Sequence, residues 1–150
     1  MKFVSTLMFI FAFANIQGFA PAAESTNTKP AKTEMKIKIG SSTFTATLDE
    51  NPTVVAFKAM LPMTIKMTEL NGNEKYYRLG RELPSKAANP RKIQNGDLML
   101  YGADTLVLFY KSFPTTYSYT RLGRIDDPLG LAAAIGSGDV TVTYELKQGR

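Results

Sequence analysis

Tyr101, Tyr110, Phe113, Tyr117 and Tyr119 crowd into one stretch, and Arg121 and Arg124 follow directly. In a strand, a spacing of two puts Tyr117, Tyr119 and Arg121 on one face. Rings there supply contact area, and a guanidinium bonds carbonyls or a carboxylate. This face, with Tyr101, Tyr110 and Phe113, is the expected binding site for a peptide segment or small molecule. Glu69, Asn71 and Glu74 surround a second point, the Asn71-Gly72 turn. They could hold a ligand or a cation, although turn chemistry accounts for them more simply; Glu69 and Asn71 join the candidate ligand-binding residues. Asp126-Asp127 pairs two carboxylates, but Asp127-Pro128 has the form of a helix cap, and no intact calcium loop surrounds it. Gly136-Ser137-Gly138-Asp139 reads as a helix stop and turn.

The 150 residues include no Cys, His or Trp. That excludes a disulfide, a thiol nucleophile, a Ser-His-Asp triad and a His/Cys metal centre. No metal and no cofactor are expected. The basic residues behind the +5 net charge are spread along the chain and mixed with acids, so no nucleic-acid footprint is expected.

Lys2 precedes an apolar run from Phe3 to Ala14, interrupted only by Ser5 and Thr6, and small residues follow at Ala20-Pro21-Ala22-Ala23. This is the order of a secretory signal peptide, cleaved before Ala23. The run is shorter than the roughly 20 residues a spanning helix needs, and no Cys can carry a lipid. Residues 1–22 are therefore expected to be a signal peptide. The mature chain would be released to a periplasm or the medium without a stable membrane anchor, as a monomer. Residues 23–34 lack the apolar content to offset ordering entropy and are expected to be a disordered leader. Residues 35–146 form the domain and 147–150 a tail.

The domain must position the candidates mostly on strands. Met35 to Ile39 alternates, Gly40-Ser41-Ser42 turns, and Phe44, Ala46 and Leu48 alternate back, so a hairpin is expected. Lys36 and Lys38 read as the wet face of an edge strand. Asn51-Pro52 reads as cap and first helical residue, with Val54, Phe57 and Leu61 on one face and Pro62 ending the helix. Met63 to Met67 alternates, Asn71-Gly72 turns, and Tyr76 to Leu79 returns; Met60, Met63 and Met67 are expected to fill core gaps. Glu82 to Asn95 reads as a long surface connection. Leu98–Tyr101 and Thr105–Lys111 follow as strands, the second apolar enough to be central. Phe113-Pro114 bends the chain, and Tyr117–Ile125 is a further strand. Asp127-Pro128 starts a second helix that stops at Gly136, and Val140–Tyr144 is the last strand. The sum is about eight strands and two helices, a mainly-β or α+β barrel.

The segments LNGNEKYY, GDLMLYG, LVLFYKSF, YSYTRLGRIDDPLGLAAAIG and VTVTYE, in this order, resemble the bacterial cyclophilin-like domain proteins. The resemblance covers roughly Met35 to Leu146. It implies a mainly-β fold, an eight-stranded antiparallel barrel with two capping helices. Cyclophilins proper are peptidyl-prolyl isomerases. Lowering the X-Pro barrier of ~18–20 kcal/mol needs an apolar pocket for the proline ring and an Arg that donates to the prolyl nitrogen. The Phe-x-x-Gln-Gly-Gly run, the Trp and the His of that site are absent here, so no catalytic residue carries over by motif. If an isomerase remains, Arg121 or Arg124 is the expected donor. Otherwise the chain is a binding barrel, or an interaction domain that offers a strand edge to a partner.

Overall fold

The computed structural model describes Gly18 and residues 31–148. In chain order these form β1 (Glu34–Ile39), β2 (Ser42–Leu48), α1 (Pro52–Lys58), β3 (Met63–Leu70), β4 (Glu74–Arg78) and β5 (Lys92–Ile93). There follow β6 (Asp97–Tyr101), β7 (Thr105–Phe109), β8 (Phe113–Pro114), β9 (Thr120–Ile125), α2 (Leu131–Ile135) and β10 (Val140–Leu146). Eight strands close into a barrel in the order β1-β10-β3-β4-β7-β6-β9-β2, and every pairing is antiparallel. Apart from Gly18, the expected signal peptide and most of the expected leader, residues 23–30, lie outside the described residues.

Period-two alternation fills the barrel. Met35, Ile37 and Ile39 of β1, Leu98 and Leu100 of β6, Leu106 and Leu108 of β7, and Val142 and Tyr144 of β10 are all buried in one cluster. Each such side chain contributes about 1.5–3 kcal/mol by leaving water. Val54 and Phe57 of α1 and Leu131 and Ile135 of α2 pack on the same cluster. Asn51 sets the start of α1: its Oδ1 accepts from Val54 N at 2.8 Å, and its Nδ2 donates to Arg121 O at 2.9 Å, which ties the helix to β9.

The outside of the barrel carries a second core. Because successive residues face opposite ways, Met99, Val107 and Phe109 point away from the interior that Leu98, Leu106 and Leu108 fill. The chain on either side of this wall folds over it. Ile93 of β5 and Tyr119 are buried against Met99, Val107 and Phe109, with Tyr76 and Phe113 packed beside them. Backbone bonds hold this layer together: β5 pairs with β8, and Ala88 and Tyr119 exchange both of theirs at 3.0 Å.

One irregularity sets the positions of two arginines. Between β6 and β9, Met99 pairs with Arg121 and Leu98 with Gly123, so Leu122 is an extra residue, a β-bulge. Arg121 and Arg124, three apart, therefore both reach the outer face while Leu122 stays buried inside. The close approach is possible because residue 123 is glycine. A Cβ there would lie 2.3 Å from Thr47 O and 3.0 Å from Leu48 Cα of β2.

Several expectations are corrected. β1 is not an edge: it pairs with both β2 and β10, so Lys36 and Lys38 sit on a wet face of a closed barrel. Glu34 belongs to β1, where its carbonyl accepts from Lys147 N. α1 ends at Lys58, ahead of Pro62, as the chain turns at Met60 and Leu61 with 3.0 and 3.2 Å bonds back to Phe57 O and Lys58 O. Phe113-Pro114 is a short strand because its backbone meets β5. β9 begins only at Thr120, since Tyr117 to Tyr119 are held by the outer layer. Asp127 does not cap α2; it accepts from Leu129 N in a turn, and the helix starts after Gly130 without a side-chain cap. Among the described residues every barrel strand is paired on both sides, where an interaction domain was expected to offer a strand edge.

Candidate functional site

The outer layer stops short of covering the wall, and a cavity of about 810 Å³ remains. That size suits a small ligand or a few residues of a peptide. β4 contributes Glu74, Tyr76 and Arg78, its outward-facing residues; Lys75 and Tyr77 face the interior. β7 contributes Thr105 and Val107, and the turn before it contributes Asp104. The far side consists of Tyr101, Phe113, Tyr117 and Tyr119, and Asn71 stands at the β3–β4 turn. The rings brace one another. Tyr101 lies 6.3 Å from Tyr117 and 5.8 Å from Tyr119, centroid to centroid, and Phe109 lies 5.5 Å from Tyr119 and 5.8 Å from Phe113. Such pairs contribute about 0.5–1.5 kcal/mol each beyond the area they bury, so this wall is preorganised.

Charge is placed at the two ends of β4. Glu74 and Arg78 are four residues apart, roughly 13 Å at the rise of a strand. Among the described residues neither makes a hydrogen bond or an ion pair through its side chain. Glu74 pairs across the ladder with Phe109 and is half-buried. Burial, and then the nearby charge of Glu69, push its carboxyl up to about 7. Burial and the charge of Glu74 likewise raise Tyr119 above the usual phenol range, so it remains a neutral hydroxyl.

The sequence-predicted residues divide between four places. Tyr101, Phe113, Tyr117, Tyr119 and Asn71 line the large cavity. Tyr110 and Glu69 do not; they belong to a polar cluster at the end of the barrel. Lys75, fully buried, donates to Glu69 Oε2, to Gly136 O at 2.8 Å and to Gly138 O at 2.6 Å. Its Nζ also lies 5.1 Å from the centroid of the Tyr110 ring. The Tyr110 hydroxyl donates to Glu69 at 2.7 Å, and Glu69 Oε1 accepts from Gly72 N at 2.8 Å, closing the turn in which Asn71 and Gly72 both have positive φ. Burial alone would raise Glu69, but the bonds from Lys75, Tyr110 and Gly72 outweigh it and hold the carboxyl below the usual range. Burial and the Glu69 carboxylate push Tyr110 up to about 12.

Arg121 lines a smaller groove of about 440 Å³ with Met99, Tyr119 and Lys86. Its Nε lies 3.3 Å from Asp49. Arg124 lines neither cavity: its Nε donates to Asp97 at 2.7 Å, and that carboxylate is fully buried. Tyr119 separates the two cavities and lines both. Tyr76, Arg78, Asp104 and Val107 were not foreseen as lining residues. The available signal was the outward Glu-x-Tyr-x-Arg alternation of β4.

Among the described residues, no group of three or more acidic side chains could hold a metal ion. None of the described helices is long and apolar enough to cross a membrane, which says nothing of strands. A search of curated proteins finds no match. Among solved structures, the chain is similar to a hypothetical protein of Archaeoglobus fulgidus, known in solution, with a TM-score of 0.52 and 20% identity over 81% of this chain and 99% of that one. At that identity the likeness concerns the fold alone. The family model described as the Cyclophilin-like family matches residues 37–145, from the middle of β1 to the end of β10. By this match the chain belongs to the cyclophilin-like family.

Proposed function

We propose that the protein is an exported binding barrel whose external cavity takes a peptide segment or a small molecule. One observation carries the reading: a preorganised aromatic wall borders an open cavity of about 810 Å³ with a charged side chain at each end of β4. The barrel interior is filled by side chains, so the outer face is where a ligand can be received. Titration of isotope-labelled protein with a pool of short capped peptides, followed by amide shifts, tests it. Shifts centred on Tyr76, Tyr101, Val107, Phe113 and Tyr119 are expected; shifts confined to other faces refute it. Export rests on Lys2, the apolar run after it and the Ala20 and Ala22 spacing, and predicts a mature N-terminus at Ala23.

A second reading, a divergent prolyl isomerase, is favoured by Arg121 standing beside Met99 and Tyr119 in the smaller groove. A protease-coupled assay on an X-Pro peptide separates the two. A rate increase abolished by Arg121→Ala would replace the binding-only reading.

A further inference from the structure

The Glu74 end of the large cavity has a more specific chemistry than the rest. Glu74 is a half-buried carboxyl without a hydrogen-bond or ion-pair partner among the described residues, in a cavity that Tyr76, Tyr101, Phe113, Tyr117 and Tyr119 line together with polar side chains. Asn73, next to it and lining the same cavity, has its Oδ1 buried with no donor to it. Both are acceptors short of a donor. Tyr76 lies two residues along the same strand face, Phe109 is the cross-strand neighbour of Glu74, and Tyr119 is close enough to feel its charge. Ring faces attract cations through their quadrupole, and more strongly where water is excluded. A carboxylate among rings, with no cation of the protein's own set against it, is the arrangement that recognises an ammonium group.

We infer that the ligand of this cavity carries a cationic amine, seated on Glu74 and the surrounding rings. The inference rests on the cavity being the binding site, and it narrows that reading to a ligand class: amines and peptides with a lysine side chain or a free N-terminus. The groups that face Glu74 set its pH response. Burial and the charge of Glu69 of β3 oppose its ionisation, Tyr110 after β7 stays an uncharged hydroxyl, and Arg78, on its own strand, and Asp104, in the β6–β7 turn, lie toward the other end of the cavity. An ammonium ligand supplies the missing counter-charge and draws the carboxyl into its ionised form.

The test compares benzylamine with benzyl alcohol, an uncharged analogue of similar size, by amide shifts in wild type and Glu74→Gln. At pH 8 benzylamine is expected to bind wild type at least about tenfold tighter than benzyl alcohol. In Glu74→Gln that preference falls below about threefold, and an amide spectrum with wild-type dispersion shows that the variant is folded. Wild-type affinity for benzylamine also rises from pH 5.5 to pH 8, as Glu74 ionises near 7. Equal binding of the two probes at the cavity overturns the ammonium inference and leaves the cavity reading standing. Shifts from neither probe at the cavity overturn both.

Discussion

Lys75 is the residue whose replacement reads most directly on how the barrel is held. It is fully buried, and its ammonium donates to Glu69 and to the carbonyls of Gly136 and Gly138. Lys75→Met keeps an apolar stem of the same length up to the ε-carbon but removes the ammonium and with it all three donated bonds. Two backbone carbonyls then lose a partner, at about 1–3 kcal/mol each where water does not replace it. Glu69 is partly exposed, retains its bonds from Tyr110 and Gly72, and so rehydrates cheaply. Against this, the variant no longer buries an ammonium, which offsets part of the loss. The net expectation is a loss of about 3 kcal/mol, in the range for breaking a buried ion pair, or roughly 12 °C in Tm for a domain of this size. Urea unfolding followed by circular dichroism measures it. Glu69→Gln is expected to be milder, and the double variant should be less destabilised than the two singles together by at least about 1 kcal/mol. Strict additivity, or a Lys75→Met protein within about 0.5 kcal/mol of wild type, would refute the view that this cluster clamps the β3–β4 hairpin to the loop after α2.

Two further outcomes are expected. Gly123→Ala drives a Cβ into Thr47 O at 2.3 Å, and because the obstacle is backbone, β2 and β9 must part; a loss above about 3 kcal/mol, or failure to fold, is expected, and a variant within 1 kcal/mol of wild type in the same urea assay would contradict the bulge geometry. Stability should also peak near pH 5. The depressed Glu69 contributes above its ordinary value of 4.5 and loses that contribution as pH falls through its folded value, while the raised Glu74 contributes below 4.5 and loses its share as pH rises through about 7. Tm should therefore fall between pH 5 and pH 8, and fall less in Glu74→Gln; equal slopes would refute the assignment.

What could be read from the residues, and what could not, divides along the range of the interactions. The α1 start was legible because Asn51 and Pro52 act within one turn of helix, and the β3–β4 turn because Asn71 and Gly72 supply the positive φ it needs. The barrel itself came from counting alternating segments, together with the resemblance. Faces were harder. Leu106 to Tyr110 is apolar on both sides because both sides are covered, so periodicity could not place Tyr110 inside and Phe109 outside. On β4 both faces mix aromatic and charged residues, and only the pairing with β7, which sets Lys75 opposite the inward Leu108, makes Lys75 the inward one. β9 begins only at Thr120 because Tyr119 pairs with Ala88, a partner the local pattern does not reveal, and so the expected Tyr117-Tyr119-Arg121 face is split between two cavities. Even the second helix misled locally: Asp127-Pro128 has the composition of a cap, yet tertiary packing starts the helix after Gly130.

The place of β10 between β1 and β3 has a consequence for the life of the chain before it is folded. The first strand of the barrel shares one of its two ladders with the last, Met35 opposite Leu146 and Ile39 opposite Val142. Until residues 140–146 are made, β1 and β3 each keep an open side, and the barrel stays an unfinished sheet. Contacts that span nearly the whole domain close slowly, since the entropy of the intervening loop must be lost first. The barrel therefore cannot shut until β10 has been made, and its closure joins the two ends of the domain in a single late step.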